Sequence, residues 1–196
     1  MQIAALDWLP QLPVSGIADV RLATLVLLLA IAAAIDVRTM RIPNWLTLSG
    51  AGIGLALSWI GEAHPGSALL LAAGGMLAGL ALMLPFWLLR VMGAGDVKLM
   101  AMVGAFVGLQ QVVPTVLSVF VAGGLVAVSF ALYRRMFRRV AANVGDIVQQ
   151  MAFGVLAGVG FPAQTRPAVS AGRVPYGVSI CAGTIAWATV RQLGYL

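Results

Sequence analysis

Long apolar runs, separated by short polar segments, occupy most of the 196-residue chain. About 20 consecutive apolar residues form a helix long enough to cross the hydrocarbon core of a bilayer. By this measure the pattern predicts six membrane-spanning helices, of which the fourth is short enough to be re-entrant instead. Their approximate bounds are 21–36, 44–60, 67–90, 97–111, 114–132 and 175–193. The pattern therefore predicts an all-α polytopic membrane protein.

The distribution of Lys and Arg predicts the orientation, because cytoplasmic loops are enriched in both. If the loop after the first helix is cytoplasmic, that side holds ten basic residues and the other side holds only Arg21 and Arg191. The ten are Arg38, Arg41, Arg90, Lys98, Arg134, Arg135, Arg138, Arg139, Arg166 and Arg173. Both termini then face outward. The long segment 133–174 becomes a cytoplasmic or interfacial loop.

Composition narrows the class of protein further. Hydrophobic residues make up 61% of the chain and charged residues 9%, with a mean hydropathy of +1.00, whereas a soluble domain has about 25% charged residues. We expect one membrane-embedded domain over residues 1–196. The net charge of +6 does not indicate nucleic-acid binding, because the arginines cluster at the ends of apolar runs. With a single Cys and a single His, no metal or other cofactor is expected.

The candidate chemistry lies in two aspartates at predicted helix ends. Asp96 closes the polar segment Gly93-Ala94-Gly95-Asp96, and Asp36 ends the first predicted helix. Ionisable groups at membrane depth are costly and are functional candidates for that reason. Both aspartates are predicted at the cytoplasmic edge, where they can meet. Two facing carboxyls share one proton, so the ionised member can activate water while the protonated member polarises an amide carbonyl.

Other interpretations of the aspartates remain open at this point. Each could form only a structural ion pair, Asp36 with Arg38 or Arg41 and Asp96 with Lys98. A proton-coupled carrier could use intramembrane aspartates as ion sites, although carriers bind near the midplane between inverted repeats. No such repeat is evident in this chain. A non-catalytic scaffold for a pilus or secretion system would not need the two carboxylates to converge.

Three motifs together resemble the type IV prepilin peptidases. The segment Gly93–Leu99 resembles the family's GxGD motif, and Asp36, Arg38 and Ile42–Thr47 resemble its first aspartate segment. Arg173-Val174-Pro175-Tyr176-Gly177 resembles the motif that opens the last helix. The motifs come in the family's order and at helix ends, and they cover nearly the whole chain.

The resemblance implies a GxGD aspartic protease of the bacterial inner membrane with Asp36 and Asp96 as its catalytic pair. Such enzymes cut the basic leader from prepilins and pseudopilins at its cytoplasmic end, after a glycine. They therefore serve pilus or type II-like secretion machinery indirectly. Longer members also carry an N-terminal domain with two CxxC pairs and methylate the new terminus. This sequence shows neither that domain nor its cysteines and resembles the short branch serving Flp/Tad pili, which makes N-methyltransferase activity doubtful.

The remaining motif residues are expected around the scissile peptide. Gly93 and Gly95 should shape one side of the cleft, and Arg173, Pro175 and Gly177 should bring backbone close to the aspartates on the other. Tyr176 is expected as a packing wall. Lys98 either pairs with a substrate carboxylate or extends to the membrane surface. The loop 140–172 should lie over the mouth of the cleft.

Overall fold

The computed structural model describes residues 14–60, 64–89, 92–133 and 176–193. These ranges contain six α-helices and no strand, which confirms the prediction of an all-α membrane protein. The helices are α1 (Val14–Thr39), α2 (Asn44–Ile60), α3 (Pro65–Leu88), α4 (Ala94–Val107), α5 (Leu109–Tyr133) and α6 (Tyr176–Gln192). By length and composition, α1, α3 and α5 each contain a segment able to cross a membrane. The helices α2, α4 and α6 are shorter, with 17, 14 and 17 residues.

Successive helices run in opposite directions. Gly75 and Gly79 of α3 lie against Gly104 and Met100 of α4, in antiparallel order. Ser118 of α5 donates to the carbonyl of Gly183 on α6 at 2.8 Å, and Gly123 lies beside Ser179, again in antiparallel order. The carboxyl ends of α1, α3 and α5 therefore meet the amino ends of α2, α4 and α6 at one end of the bundle.

The short helix α4 forms the centre of the hydrophobic core. Every residue from Leu99 to Phe106 is buried, and Leu99, Met100, Met102 and Val103 are fully enclosed. Leu29 of α1, Leu46 of α2, Met83 of α3, Val112 of α5 and Ile180 of α6 belong to the same apolar cluster. Because α4 is apolar on all sides, it is stable only when other helices surround it.

Glycines four residues apart allow the neighbouring helices to approach α4 closely. A side chain at Gly50 or Gly54 of α2 would collide with Met102 or Phe106. A side chain at Gly75 or Gly104 would meet the backbone of the facing helix directly. The close packing of α2 and α3 against α4 therefore depends on glycine at these positions.

The boundary between the fourth and fifth helices differs from the sequence prediction. The fourth span was predicted to reach residue 111 and Pro114 to open the fifth, but α4 ends at Val107 and Pro114 lies inside α5. The chain turns at Gly108, whose φ of +78° is a left-handed conformation that favours glycine. Pro114 lies in the second turn of α5, where its missing N–H leaves one backbone hydrogen bond of the helix unmade.

The outer surface of the bundle exposes large apolar side chains. Among them are Leu27 of α1, Leu48 of α2, Leu70 of α3 and Val121 of α5. Exposed apolar patches of this extent are unusual in soluble monomers and are expected where a protein faces lipid. The bundle therefore has a packed interior around α4 and an apolar exterior.

Candidate active site

Asp36 lies one turn before the end of α1 and is 6% exposed. Its Oδ2 accepts a hydrogen bond of 2.9 Å from the backbone N–H of Gly177, in the first turn of α6. A β-carbon at residue 177 would lie 2.9 Å from that oxygen and 3.0 Å from the Asp36 β-carbon. Glycine is therefore required at this position for α6 to approach the carboxylate.

Asp96 lies in the first turn of α4 and is 8% exposed. Its Oδ2 accepts a hydrogen bond of 3.0 Å from the backbone N–H of Gly93, just before the helix. An acidic side chain in this position is also stabilised by the helix dipole. The spacing of Gly93 and Asp96 in the motif thus fixes the carboxylate locally.

The two carboxylates lie at the same end of the bundle and interact electrostatically. Asp96 precedes the apolar part of α4, outside the three candidate spans. Burial raises the pKa of Asp96 to about 6, the Gly93 hydrogen bond opposes this rise, and the nearby charge of Asp36 adds to it. The Tyr176 hydroxyl also lies within electrostatic range of Asp96. The first turn of α6 therefore adjoins both aspartates.

Neither aspartate has a cationic partner among the described residues. Lys98 instead donates a hydrogen bond of 2.9 Å to the side-chain oxygen of Asn44, at the start of α2. Arg38 and Arg41 are exposed and make no ion pair with Asp36 within the same part of the chain. The arrangement does not match the alternative in which each aspartate serves an ion pair.

The connection between α1 and α2 packs against the start of α4. A β-carbon on Gly95 would lie 3.2 Å from the β-carbon of Ile42, so Gly95 faces this connection directly. Met40, at the end of α1, has a φ of +51°, an uncommon conformation for a side-chain-bearing residue. Ile42 packs against Gly95 and Asn44 accepts the hydrogen bond of Lys98, so both residues contact the start of α4. Both residues belong to the first aspartate segment, but the sequence does not predict their contacts with α4.

The predicted site residues fall into two groups. Asp36, Gly93, Gly95, Asp96, Lys98, Tyr176 and Gly177 all lie at one end of the bundle. Arg173 and Pro175 lie outside the described residues, as does the loop 140–172. Within the described ranges, no group of three His, Cys, Asp or Glu side chains could hold a metal ion.

Comparison with known proteins identifies the family. A model of the type IV leader peptidase family matches residues 22–128, which is more than half of the chain. The chain belongs to this family. No curated protein and no solved structure matches it. As a type IV leader peptidase family member, the protein is a protease of the kind that acts on pilin-type substrates. The matched segment contains both aspartates, and the first turn of α6 lies beyond it.

Proposed function

We propose that this type IV leader peptidase is an aspartic endopeptidase that uses Asp36 and Asp96 as its catalytic pair. Its substrate is a type IV prepilin or pseudopilin of the Flp type, cut at the cytoplasmic edge of the bacterial inner membrane. The observation that carries this proposal is the pair of buried carboxylates at one end of the bundle, each held by a glycine N–H. Membership of a peptidase family favours this function over a carrier or a scaffold.

The proposed mechanism uses the two carboxyls as one acid–base unit. Two facing carboxyls share one proton, and burial first and then the charge of Asp36 raise the pKa of Asp96 to about 6. The ionised member of the pair takes a proton from water, and the resulting hydroxide attacks the scissile carbonyl while the protonated member gives its proton to the carbonyl oxygen. Collapse of the tetrahedral intermediate breaks the C–N bond. The proton taken from water passes to the leaving amine, and the hydroxyl proton returns to the carboxyl that first held the shared proton.

Backbone hydrogen bonds prepare each carboxylate for this role. In both aspartates Oδ2 accepts a glycine N–H, and Oδ1 accepts no hydrogen bond from the described residues. The Oδ1 atoms are the ones that would contact water or the substrate peptide. Since each carboxylate is held on one oxygen, little reorganisation is needed when the substrate binds.

The position of the pair suits a substrate that is held in the membrane. Its scissile bond must leave the helix to be attacked, and extended backbone in lipid requires hydrogen-bond partners. The segments containing Gly93, Gly95 and Gly177 lie beside the carboxylates and can supply them. The basic leader then stays in the cytoplasm, close to the anionic leaflet.

Co-expression with candidate Flp-type prepilins, followed by a gel-shift assay for leader removal, tests the proposal. Asp36→Asn and Asp96→Asn keep the shape of each side chain and remove its titrating group, so each should abolish cleavage while the protein still inserts. Loss of either member of a catalytic unit costs nearly as much as loss of both. Gly52→Ala is a matched control, because nothing lies within 4 Å of that position.

Substantial processing by either purified Asn variant would refute the catalytic pair. Intact mass of the processed prepilin tests the accompanying proposal about methylation. We expect the new N-terminal amine to be unmodified, and a mass increase of one methyl group would contradict that expectation.

A further inference from the structure

A cavity of about 620 Å³ lies at the end of the bundle opposite the aspartates. It is formed by the starts of α1, α3 and α5 and by the ends of α2, α4 and α6. Arg21 lines this cavity and Asp36 belongs to the candidate active site, so the two regions are about 22 Å apart along α1 at 1.5 Å per residue. The cavity is therefore separate from the proposed peptidase chemistry.

The basic residues of this end converge on the cavity. The charge distribution of the sequence assigns only Arg21 and Arg191 to this side of the membrane, and both line the cavity. His64 lines it as well, and Asp19 is the acidic residue in its wall. Basic residues on the side of the membrane that otherwise lacks them are candidates for function, because the general charge bias disfavours them there. Arg21 donates a hydrogen bond of 3.3 Å to the carbonyl of Ala105, and the positive charge that both arginines bring to the cavity favours an anionic ligand.

A buried hydroxyl in the wall also points to a ligand. Thr184 of α6 is 2% exposed and lines the cavity. Its Oγ1 has no hydrogen-bond partner among the described residues. A buried polar group without a partner is costly, so a ligand oxygen that bonds this hydroxyl would gain affinity. Nearby, Trp187 Nε1 donates to the side-chain oxygen of Gln111 at 3.3 Å, which links α6 to α5 in the cavity wall.

Apolar side chains complete the cavity. Leu25, Leu57, Leu71 and Phe106 line it together with the polar groups. Leu25 and Phe106 also belong to the hydrophobic core around α4. The lining thus combines guanidinium groups with an apolar wall, which suits a ligand that has an anionic head and an apolar body.

We propose that this cavity binds the phosphodiester headgroup of an anionic membrane lipid. Guanidinium groups match phosphate oxygens in charge and geometry, and the Thr184 hydroxyl can donate to another phosphate oxygen. The cavity lies at the end of membrane-crossing helices, at the depth where lipid headgroups lie. The apolar wall then contacts the glycerol and the first part of the acyl chains. A soluble phosphate compound shares the headgroup chemistry but would leave that wall unused.

Native mass spectrometry of the full-length protein tests this site. The purified protein is titrated with phosphatidylglycerol, with phosphatidylcholine and with soluble glycerol phosphate. We expect one phosphatidylglycerol per chain to bind more tightly than phosphatidylcholine, and glycerol phosphate to bind weakly. Arg191→Gln should weaken the phosphatidylglycerol complex about tenfold, the usual effect of losing a charge-assisted hydrogen bond. Arg38→Gln, at an exposed residue of the opposite end, should leave binding unchanged.

Two substitutions that leave the charge of the protein unchanged distinguish a specific lipid site from general electrostatic attraction between lipid and protein. Thr184→Val removes the buried hydroxyl, and Thr189→Val makes the same change at an exposed residue of the same helix. We expect only Thr184→Val to weaken binding. Equal binding of the two phospholipids overturns the proposal, as does equal weakening by Arg38→Gln and Arg191→Gln. Binding of glycerol phosphate as tight as that of the lipid would assign the cavity to a soluble phosphate compound instead.

Discussion

The two aspartates are buried to a similar degree but held in different ways. Asp96 is fixed by Gly93, three residues earlier in the chain, as part of the helix start. Asp36 is fixed by Gly177, which is 141 residues away and belongs to the last helix. One carboxylate is therefore positioned by local sequence, and the other depends on the correct packing of α6 against α1.

This difference predicts that the two glycines tolerate substitution differently. A β-carbon at Gly93 would lie 3.3 Å from Asp96 Oδ2, with the residue in an ordinary extended conformation. A β-carbon at Gly177 would lie 2.9 Å from Asp36 Oδ2 and also crowd the Asp36 β-carbon. The same added methyl group thus requires a small adjustment at Gly93 and a displacement of α6 at Gly177.

The largest expected effect of these substitutions follows from Gly177. Gly177→Ala should reduce leader cleavage about a hundredfold, because a displacement of about 1 Å in a catalytic group can have that effect. Gly93→Ala should reduce it only a few-fold. Rates of leader removal by the purified variants, with a Flp-type prepilin as substrate, measure the comparison. Gly123→Ala, which adds a methyl group at an ordinary contact distance between α5 and α6, is the matched control.

Equal losses of cleavage rate in Gly93→Ala and Gly177→Ala would mean that the local and the distant glycine contacts are equally sensitive to an added methyl group. Wild-type cleavage by Gly177→Ala would show that Asp36 does not depend on its contact with α6.

A smaller effect is expected at Gly95, which packs against Ile42. Gly95→Ala adds a β-carbon 3.2 Å from that of Ile42, so the start of α4 must shift and carry Asp96 with it. We expect a loss of cleavage of about tenfold, less than a full 1 Å displacement would cause. Gly52→Ala is the matched control in the same assay, because nothing lies within 4 Å of that position. Cleavage by Gly95→Ala at the wild-type rate would mean that close packing against Ile42 is not needed to position Asp96.

The smallest effect concerns stability, where burial of Asp96 has a cost. The pKa of Asp96 rises from 3.8 to about 6 in the folded protein. The favourable contribution of this carboxyl to the free energy of unfolding is therefore fully present below about pH 4 and is lost as the pH rises through about 6. Asp96→Asn should therefore raise the unfolding temperature by a few degrees at about pH 8 and have less effect at about pH 4. Thermal unfolding in detergent measures this difference.

Asp19→Asn is the control for that experiment, because Asp19 is an exposed carboxylate. Its unfolding temperature should follow that of the wild-type protein at both pH values. A decrease for Asp96→Asn at about pH 8 would mean that the ionised carboxylate stabilises the fold.

The sequence predicts the parts of this molecule that depend on neighbouring residues. Apolar run length predicts six helices, and the bounds of α2 are the same in the sequence pattern and in the structure. The contact between Gly93 and Asp96 forms within the start of one helix, so it also depends only on neighbouring residues. Run length predicts a helix start at Pro114 and gives no sign of the turn at Gly108, because it does not reveal a positive φ.

Contacts between distant segments could not be predicted in the same way. Nothing in the local sequence shows that Gly95 faces Ile42, or that Lys98 bonds Asn44. The cavity opposite the aspartates was missed for the same reason, since Arg21 and Arg191 lie at opposite ends of the chain. The distribution of basic residues did indicate this end of the bundle, because it placed two arginines on the side of the membrane that otherwise has none.

Infrared titration of the carboxyl band tests most directly whether Asp36 and Asp96 act as one unit. A band that titrates at about pH 6 in the wild-type protein should disappear in Asp96→Asn, which assigns it to that residue. In Asp36→Asn the same band should titrate at a lower pH, because the nearby charge that raises the pKa of Asp96 is gone. An unchanged midpoint in Asp36→Asn would mean that the two carboxyls do not interact, and would contradict the catalytic pair.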